Sequence, residues 1–296
     1  MRIVLTGGTG FLGSNLLHKL LANNFEVTVL KRSFSKLDRI HSVLGHQNLI
    51  LFDLDKGNVE DVFAGSEINS IIHTATEYGR VGTPVHQVLE TNLVYPIKLI
   101  ELGIKYGVNS FINTDSYFNK ENFRYSHLLN YSLSKRSLVH WLKSLSENIH
   151  VANVVLEHLY GPHDDNAKFV GNLIQNIAID QVDRIALTHG HQKRDFIYVD
   201  DATDAFMLLL KHMNDSHVRY SEFQLGTGQS IPVRTLAETI KELSSSPTIL
   251  GFGDIEYRSD EIMDSKADNS ALVELGWHPQ VKLHDGVIKT ISSYKK

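Results

Sequence analysis

The chain has 296 residues, 42% of them hydrophobic and 21% charged, which predicts a folded protein with one large core or two unequal ones. A formal net charge of −5, without long runs of like charge, argues against a nucleic-acid-binding or acidic-membrane surface. The absence of cysteine excludes disulfides and thiolate chemistry. Because neither a signal-peptide pattern nor a membrane-spanning apolar run is evident, the cytoplasm is the expected compartment.

Short apolar runs alternate with helical patterns along the first half of the chain. The strand-like runs read "RIVLT", "EVTVL", "LILFDL", "SIIHTA" and "SFINTD", and "HVANVVL" and "RDFIYV" continue the series. This alternation predicts an α/β fold with a Rossmann-type doubly wound parallel sheet. We expect residues 1–160 and about 194–227 to form a cofactor-binding domain, and about 161–193 and 228–296 to form a smaller α/β substrate domain.

The first strand is followed by the glycine-rich segment "TGGTGFLG". Gly7, Gly10 and Gly13 have a GxxGxxG spacing between a strand and a helix, which is the context that a dinucleotide-binding turn requires. Gly7 permits the tight turn, Gly10 lets the backbone approach a pyrophosphate, and Gly13 allows close helix packing. A plain strand-to-helix turn is the alternative interpretation.

Basic and hydroxyl side chains follow the second strand in "VLKRSFSK". Lys31, Arg32 and Ser33 stand where an NAD-binding protein carries an acidic residue, and they suit the 2′-phosphate of NADP(H). A solvated charged loop is the alternative. Asp53, at the end of the third strand, can accept a hydrogen bond from the adenine amino group or serve as a turn residue.

A tyrosine and a lysine are four residues apart in the helical pattern "NYSLSKRSLVHWL". Tyr131 and Lys135 therefore project from one face of a helix. We expect the ammonium group to lower the pKa of Tyr131, which would make the phenol a proton donor. Thr114, at the end of the strand "SFINTD", can hydrogen-bond the substrate oxygen that receives the proton of Tyr131.

These three segments in this order resemble the extended branch of the short-chain dehydrogenase/reductases, the NAD-dependent epimerase/dehydratase family. The segments "LYGP", "RDFIYVDD", "LGTG" and "LGWHP" carry the resemblance through nearly the whole chain. It implies that Thr114, Tyr131 and Lys135 are the catalytic residues, that Lys135 also holds the nicotinamide ribose, and that the protein is a homodimer. The further cofactor-binding positions are Phe11, Leu12, Leu54, Thr74, Ala75, Thr76, Asn92 and His158. The substrate-binding positions are Glu77, Tyr78, Asp115, Ser116, Lys168, Arg194 and Arg258. Arg194 and Arg258 are expected to face the substrate diphosphate, with surface ion pairs as the alternative. Lys168 is expected to face either a phosphate or water.

The residues beside the expected catalytic residues favour reduction of a ketone. A 4,6-dehydratase needs a second carboxylate after Asp115, where this chain has Ser116, and a 3,5-epimerising reductase needs a cysteine, which is absent. More narrowly, "HTATEYGR", "NTDSYF" and "LEHLYGP" resemble the group of CDP-abequose and CDP-paratose synthases. That resemblance implies NADPH-dependent reduction of the C4 ketone of CDP-4-keto-3,6-dideoxy-D-glucose to CDP-abequose or CDP-paratose. It also implies a role in the synthesis of dideoxyhexoses for the lipopolysaccharide O-antigen.

Two other interpretations stay open. One is a sugar-nucleotide epimerase that retains NAD, and the other is a nonenzymatic NADP(H)-sensing regulator, against which the intact Thr114, Tyr131 and Lys135 argue. The sixteen histidines show no metal-binding spacing such as HExxH, so no metal is expected. His73 suits either a structural place or the sugar pocket.

Overall fold

A computed structural model describes residues 1–120, 128–215 and 217–294. The described residues divide into two compact units, the first made of residues up to 120, 128–155 and 203–223, and the second of 156–202 and 224–294. Residues 156–160, 194–202 and 224–227, which the sequence pattern assigned to the cofactor domain, thus lie in the second unit. Two short strands in these segments, His158–Tyr160 and Phe196–Tyr198, pair with each other in parallel and do not join the seven-stranded sheet.

The strands of the described chain are short, as expected for an α/β protein. In chain order they are β1 (Arg2–Thr6), β2 (Glu26–Lys31), β3 (Leu49–Asp53), β4 (Ser70–His73), β5 (Ser110–Ser116), β6 (His150–Leu156), β7 (His158–Tyr160), β8 (Arg184–Leu187), β9 (Lys193–Arg194), β10 (Phe196–Tyr198), β11 (Tyr220–Leu225), β12 (Ile231–Pro232) and β13 (Ile249–Phe252).

The helices alternate with these strands. They are α1 (Phe11–Ala22), α2 (Glu60–Ala64), α3 (Val85–Leu89), α4 (Tyr95–Lys105), α5 (Leu129–Leu145), α6 (Phe169–Leu173), α7 (Val199–Asp215), α8 (Val233–Ser244), α9 (Ser270–Glu274) and α10 (Leu283–Ser293). Short 3-10 segments span Asp38–Val43 and Tyr117–Asn119, and π-helical turns span Glu90–Val94 and Ile174–Ile179. None of the described helices is long and apolar enough to cross a membrane.

Seven strands form one sheet in the order β11-β6-β5-β4-β1-β2-β3. The pairings of β1 with β2 and β4, of β2 with β3, and of β4 with β5 are parallel. The order reverses at β1, as in a doubly wound sheet, so the carboxyl ends of β1 and β4 lie side by side. The Rossmann-type sheet expected from the sequence is confirmed.

One strand assignment was wrong. The segment "RDFIYV" does not join the large sheet, because β10 pairs with β7 and β9 pairs with β12. The seventh strand is instead β11, "YSEFQL", in which only Phe223 and Leu225 are buried. An edge strand can be polar on much of its surface, which is why β11 has no continuous apolar run.

Burial explains why the central strands read as apolar runs. All four residues of β4 are buried, and Ile71 and Ile72 are completely inaccessible. A side chain of this size stabilises the fold by about 1.5–3 kcal/mol when it is fully buried. Val4 of β1 and Phe111 of β5 belong to the same core cluster as Ile71.

Candidate active site

The glycine turn joins β1 to α1. Gly7 has a φ of +67°, and the backbone amide of Gly10 donates to the carbonyl of Gly7 at 2.8 Å. A Cβ on Gly13 would overlap the carbonyl group of Gly7, so α1 packs against the turn as closely as a glycine allows. Gly10 caps α1 without a side-chain hydrogen bond, which leaves first-turn amides for an anion such as a pyrophosphate.

The loop after β4 is tied to the end of β1. The hydroxyl of Thr74 donates to the carbonyl of Thr6 at 2.8 Å, and the amide of Ala75 donates to the Thr6 hydroxyl at 3.2 Å. The same hydroxyl lies 2.8 Å from Nδ1 of His73. Burial, together with the charge of Lys135, lowers the pKa of His73 well below its usual range, so this imidazole is neutral. His73 thus has a structural place beneath the loop.

The predicted 2′-phosphate residues come together at the ends of β2 and β3. Lys31 pairs with Asp53 at 3.1 Å, and Arg32 pairs with Asp55 at 2.6 Å. Partial desolvation alone would raise the pKa of Asp53, but hydrogen bonds from Ser33, the Asp55 amide and Lys31 lower it. Asp53 is thereby engaged with its neighbours. The amide of Leu54 donates to the carbonyl of Lys31 at 2.9 Å, which fixes the loop after β3.

The three predicted catalytic residues lie together at the end of β5 and on α5. The Lys135 ammonium donates to the backbone carbonyl of Thr114 at 2.8 Å. Tyr131, one helical turn earlier, is only 6% exposed, and Lys135 is 2% exposed. Oγ1 of Thr114 is buried without a hydrogen-bond partner among the residues that the structure describes. A buried hydroxyl of this kind suits a substrate oxygen as its partner.

Aromatic rings hold the phenol of Tyr131 in place. Tyr78 stacks on Tyr131 with centroids 5.2 Å apart, and Phe118 meets it edge-on at 6.3 Å. Burial raises the pKa of Tyr131, and Tyr78 adds to the shift, while hydrogen bonding with Ser116 and Thr76 opposes it. The lowered pKa expected from Lys135 is therefore wrong, because desolvation of the phenolate dominates. The phenol stays protonated at neutral pH and can donate a proton.

A buried carboxylate lies beside this lysine. Both oxygens of Asp115 accept hydrogen bonds, Oδ1 from the Ser116 amide at 2.8 Å and from Asn119 at 2.7 Å, and Oδ2 from Asn153 at 3.1 Å. Burial raises the pKa of Asp115 to about 6, although Lys135 and these hydrogen bonds oppose the shift. Burial lowers the pKa of Lys135 to about 8, against the influence of Asp115.

Asn153 and Asn119 were missed by the sequence reasoning. Asn153 is the one polar residue within the apolar part of "HVANVVL", and it is completely buried on β6. Its side-chain oxygen accepts from Asn113 at 2.8 Å, and its side-chain nitrogen donates to Glu222 at 3.2 Å. A polar residue inside a buried strand is the signal that could have found it, because such a group needs partners.

Asn92 organises the segment between β4 and α3. It lies in the π-helical turn Glu90–Val94, a feature often found at functional sites. Its side chain accepts from the amide of Glu77 at 2.8 Å and donates to the Glu77 carbonyl at 2.7 Å. It also donates to Ser134 of α5 at 3.1 Å, and Thr76 donates to it at 3.3 Å. Asn92 thus joins the Glu77 backbone to the helix that carries Tyr131.

Four predicted site residues lie in the second unit. Arg194 is buried, and its guanidinium donates to Glu261 and to the carbonyl of Ile262. Lys168 pairs with Asp164 at 2.9 Å, while Arg258 is exposed. The ring of His158 packs against Phe196 at 5.6 Å. Within the described chain, no group of three or more His, Asp or Glu side chains is arranged to hold a metal ion.

Comparison with known proteins identifies the family. Residues 3–226 match the model of the NAD dependent epimerase/dehydratase family, so the chain belongs to it, as the sequence motifs predicted. The chain is 33% identical to a CDP-abequose synthase of Salmonella muenchen, over 98% of this chain and 97% of that protein. A second CDP-abequose synthase, from Salmonella typhimurium, is 32% identical over 96% and 95% of the two chains.

A solved structure agrees with the fold. UDP-glucuronic acid 4-epimerase from Bacillus cereus, in complex with UDP-glucuronic acid and NAD, matches with a TM-score of 0.84. The match covers 100% of this chain and 99% of that one at 20% identity, so it shows the fold alone. The glycine turn and the open first turn of α1 fit a nicotinamide dinucleotide, and the Thr114 hydroxyl, which has no partner among the described residues, fits an oxygen-bearing substrate.

Proposed function

We propose that this protein uses NADPH to reduce the C4 ketone of a nucleotide-linked 4-keto-deoxysugar. The substrate we infer is CDP-4-keto-3,6-dideoxy-D-glucose, and the product is CDP-abequose or CDP-paratose. Two CDP-abequose synthases that align with nearly the whole chain support the CDP-linked sugar. The observation that carries the proposal is the buried Thr114 hydroxyl, unpartnered within the described chain, on the strand end to which Lys135 is bonded.

A nicotinamide dinucleotide held at the turn of Gly7 and Gly10 would supply the hydride for C4. Tyr131 donates its phenolic proton to the ketone oxygen, and the O–H of Thr114 hydrogen-bonds the same oxygen as negative charge develops on it. The ammonium of Lys135, held at the carbonyl of Thr114, stabilises the phenolate that remains. One hydride and one proton convert the ketone to an alcohol, and solvent returns the proton to Tyr131.

The surroundings of Asp115 favour reduction over elimination of water. Elimination needs a carboxylate acid and a carboxylate base at the sugar, whereas Ser116 occupies the second position and both Asp115 oxygens already accept hydrogen bonds. Ser116 instead hydrogen-bonds Tyr131. Reduction needs only the proton donor and the oxyanion partner that Tyr131 and Thr114 provide.

A retained NAD with epimerase activity is the second candidate. One observation favours it, since Asp53 and Asp55 pair with Lys31 and Arg32 and so offset the positive charge that would attract a 2′-phosphate. Identification of the nucleotide released from denatured protein separates the two. Tightly bound NAD, with no net oxidation of NADPH, would favour the epimerase.

The decisive assay follows the decay of NADPH absorbance with CDP-4-keto-3,6-dideoxy-D-glucose. We expect oxidation that Tyr131→Phe reduces by about 10²- to 10⁴-fold. Tyr106→Phe is the matched control, because the Tyr106 hydroxyl donates to Glu60 at 2.9 Å on another part of the same unit. NMR of the product gives the C4 configuration. No oxidation with this substrate or with GDP- and dTDP-linked 4-keto sugars would refute the reductase proposal.

We also propose that two copies associate through α3, α4 and α5. Large apolar side chains are exposed on α3, at the end of the π-helical turn that leads into α4, and on α5, namely Val85, Leu89, Val94, Leu129, Leu133 and Trp141. Exposed apolar groups of this number commonly mark an interface. Sedimentation should give the mass of a dimer, and Leu133→Asp should lower it to that of a monomer. A monomeric wild-type protein at micromolar concentration would contradict the proposal.

Cationic side chains are the proposed partners of the nucleotide diphosphate. Arg194, Arg258 and Lys168 remain the proposed ligands, since guanidinium groups bind phosphate oxygens in a bidentate manner. Because Glu261 already accepts from Arg194, the diphosphate would share that guanidinium with a carboxylate. Exposed Arg258 makes the simpler test, and Arg258→Ala should raise KM for the nucleotide sugar more than it lowers kcat.

A further inference from the structure

The Asp55 carboxylate accepts hydrogen bonds from two donors that a 2′-phosphate would use. Asp55 accepts from the backbone amide of Ser33 at 2.7 Å and from Nε of Arg32 at 2.6 Å. Both donors belong to the turn after β2, where the ribose 2′ position of a bound dinucleotide lies in a doubly wound sheet. A backbone amide and a guanidinium together are typical phosphate-binding groups.

A second carboxylate, that of Asp53, also holds the turn after β2. The Ser33 hydroxyl lies 2.9 and 2.8 Å from the two oxygens of Asp53, and Lys31 donates to Asp53 at 3.1 Å. Asp53 also accepts from the backbone amide of Asp55 at 3.1 Å. The side chains of Lys31 and Asp53 are 15% and 17% exposed, so this pair is comparatively sheltered.

The ion pair of Arg32 and Asp55, here called the outer pair, is more exposed to solvent than the inner pair of Lys31 and Asp53. The side chains of Arg32 and Asp55 are 56% and 30% exposed, about twice the values of the inner pair or more. An exposed ion pair contributes little to stability and exchanges partners readily. Asp55 can therefore leave its donors without disturbing the bonds between Asp53 and Lys31.

We propose that Asp55 is a specificity-determining residue that occupies the place of the 2′-phosphate and yields the Ser33 amide and Arg32 to NADP(H). This inference rests on the proposed use of NADP(H). The phosphate of NADPH must displace the Asp55 carboxylate and then remain near it, whereas NADH leaves the carboxylate in place. Asp55 thus makes the preference for NADPH over NADH smaller than Lys31 and Arg32 alone would make it.

The expected effect follows from Coulomb's law. A phosphate that carries about two negative charges, at roughly 5 Å from a carboxylate in a water-like medium, is repelled enough to weaken binding roughly tenfold. Asp55→Asn should therefore tighten NADPH binding by about tenfold and change NADH binding less than about twofold. Because salt screens charges at the surface, the gain should shrink in about 0.5 M salt.

The test measures dissociation constants of NADPH and NADH by titration calorimetry for four proteins. These are the wild type, Asp55→Asn, Arg32→Ala and the matched control Glu26→Gln. Glu26 begins β2, and its carboxylate pairs with Arg2 at 2.8 Å in a similarly exposed ion pair. The control should leave both constants unchanged. Asp55→Ser provides a second variant should the asparagine alter folding, which circular dichroism would reveal.

Each result has one meaning. Tighter NADPH binding by both Asp55 variants, with weaker NADPH binding by Arg32→Ala, would support the inference. Unchanged or weaker NADPH binding by the Asp55 variants, with the Arg32 effect intact, would overturn it and leave the use of NADPH standing, with Asp55 merely orienting Arg32. If the wild type binds NADH more tightly than NADPH, and Arg32→Ala leaves the dissociation constant of NADPH unchanged, both the inference and the cofactor proposal are overturned.

Discussion

Replacement of Gly13 by alanine tests whether the glycine turn is as tight as its geometry indicates. An ideal Cβ at this position would overlap the Gly7 carbonyl oxygen and would lie 2.6 Å from the Gly7 carbonyl carbon and 2.7 Å from Oγ1 of Thr74. Alanine in a helix gains about 1 kcal/mol over glycine. Overpacking against backbone costs typically about 1–3 kcal/mol, and the Gly7 carbonyl cannot move freely because it accepts from Gly10.

We therefore expect Gly13→Ala to lower the free energy of unfolding by up to about 2 kcal/mol, which is the cost of overpacking less the gain in helix propensity. The melting temperature should fall by up to about 8 °C, and NADPH should bind at least about tenfold more weakly, since the turn that faces the pyrophosphate must shift. Gly45→Ala is the control, because a Cβ there meets nothing within 4 Å. Equal melting temperatures and NADPH affinities for the two variants would refute this reasoning.

Four further outcomes are expected. Thr114→Val should lower kcat with little change in melting temperature, because the hydroxyl has no partner within the described chain, and a large loss of stability would contradict this. The value of kcat/KM should fall above about pH 8 as Lys135, whose pKa is lowered to about 8, loses its proton. Asp115→Asn should move that limb to lower pH, since the carboxylate raises the pKa of Lys135, and an unmoved limb would show that the two groups are uncoupled. Asp195→Ala should lower the free energy of unfolding by about 3 kcal/mol or more, measured in urea, because its buried carboxylate accepts from Thr227, Gly228 and Ala267, whereas exposed Asp254→Ala should change it little.

The large sheet was predictable where strands are buried on both faces. Ile71 and Ile72 in β4 come from an unbroken apolar run, and a run of this kind between helical patterns has few other interpretations. β11 was not found because four of its six residues remain in contact with solvent. "RDFIYV" was misassigned because a buried pair of short strands has the same local pattern as one strand of a large sheet, and only tertiary pairing tells them apart.

The candidate site shows a similar division. The shared helix face of Tyr131 and Lys135 was predictable from their spacing, and the strand-end position of Thr114 from the strand pattern, because local geometry decides these positions. Their catalytic roles came from the family resemblance and stay a prediction. The partners of Asp115 were not, since Asn153 is 38 residues away in sequence and only the adjacency of β5 and β6 brings it near. The sign of the shift in the pKa of Tyr131 was also beyond the sequence, because it depends on how completely Tyr78 and Phe118 exclude water.

Burial acts in opposite directions on the pKa values of Tyr131 and Lys135, and both shifts disfavour charge. The phenol is kept protonated, and the ammonium is brought to a pKa of about 8, close to neutrality. In the proposed reduction Tyr131 gives up its proton, and the phenolate then needs a cation inside the same buried region. We propose Lys135 as that cation, so Lys135→Met should leave NADPH oxidation slower at every pH and should remove the fall above about pH 8. A variant that keeps this alkaline fall would show that another group controls it.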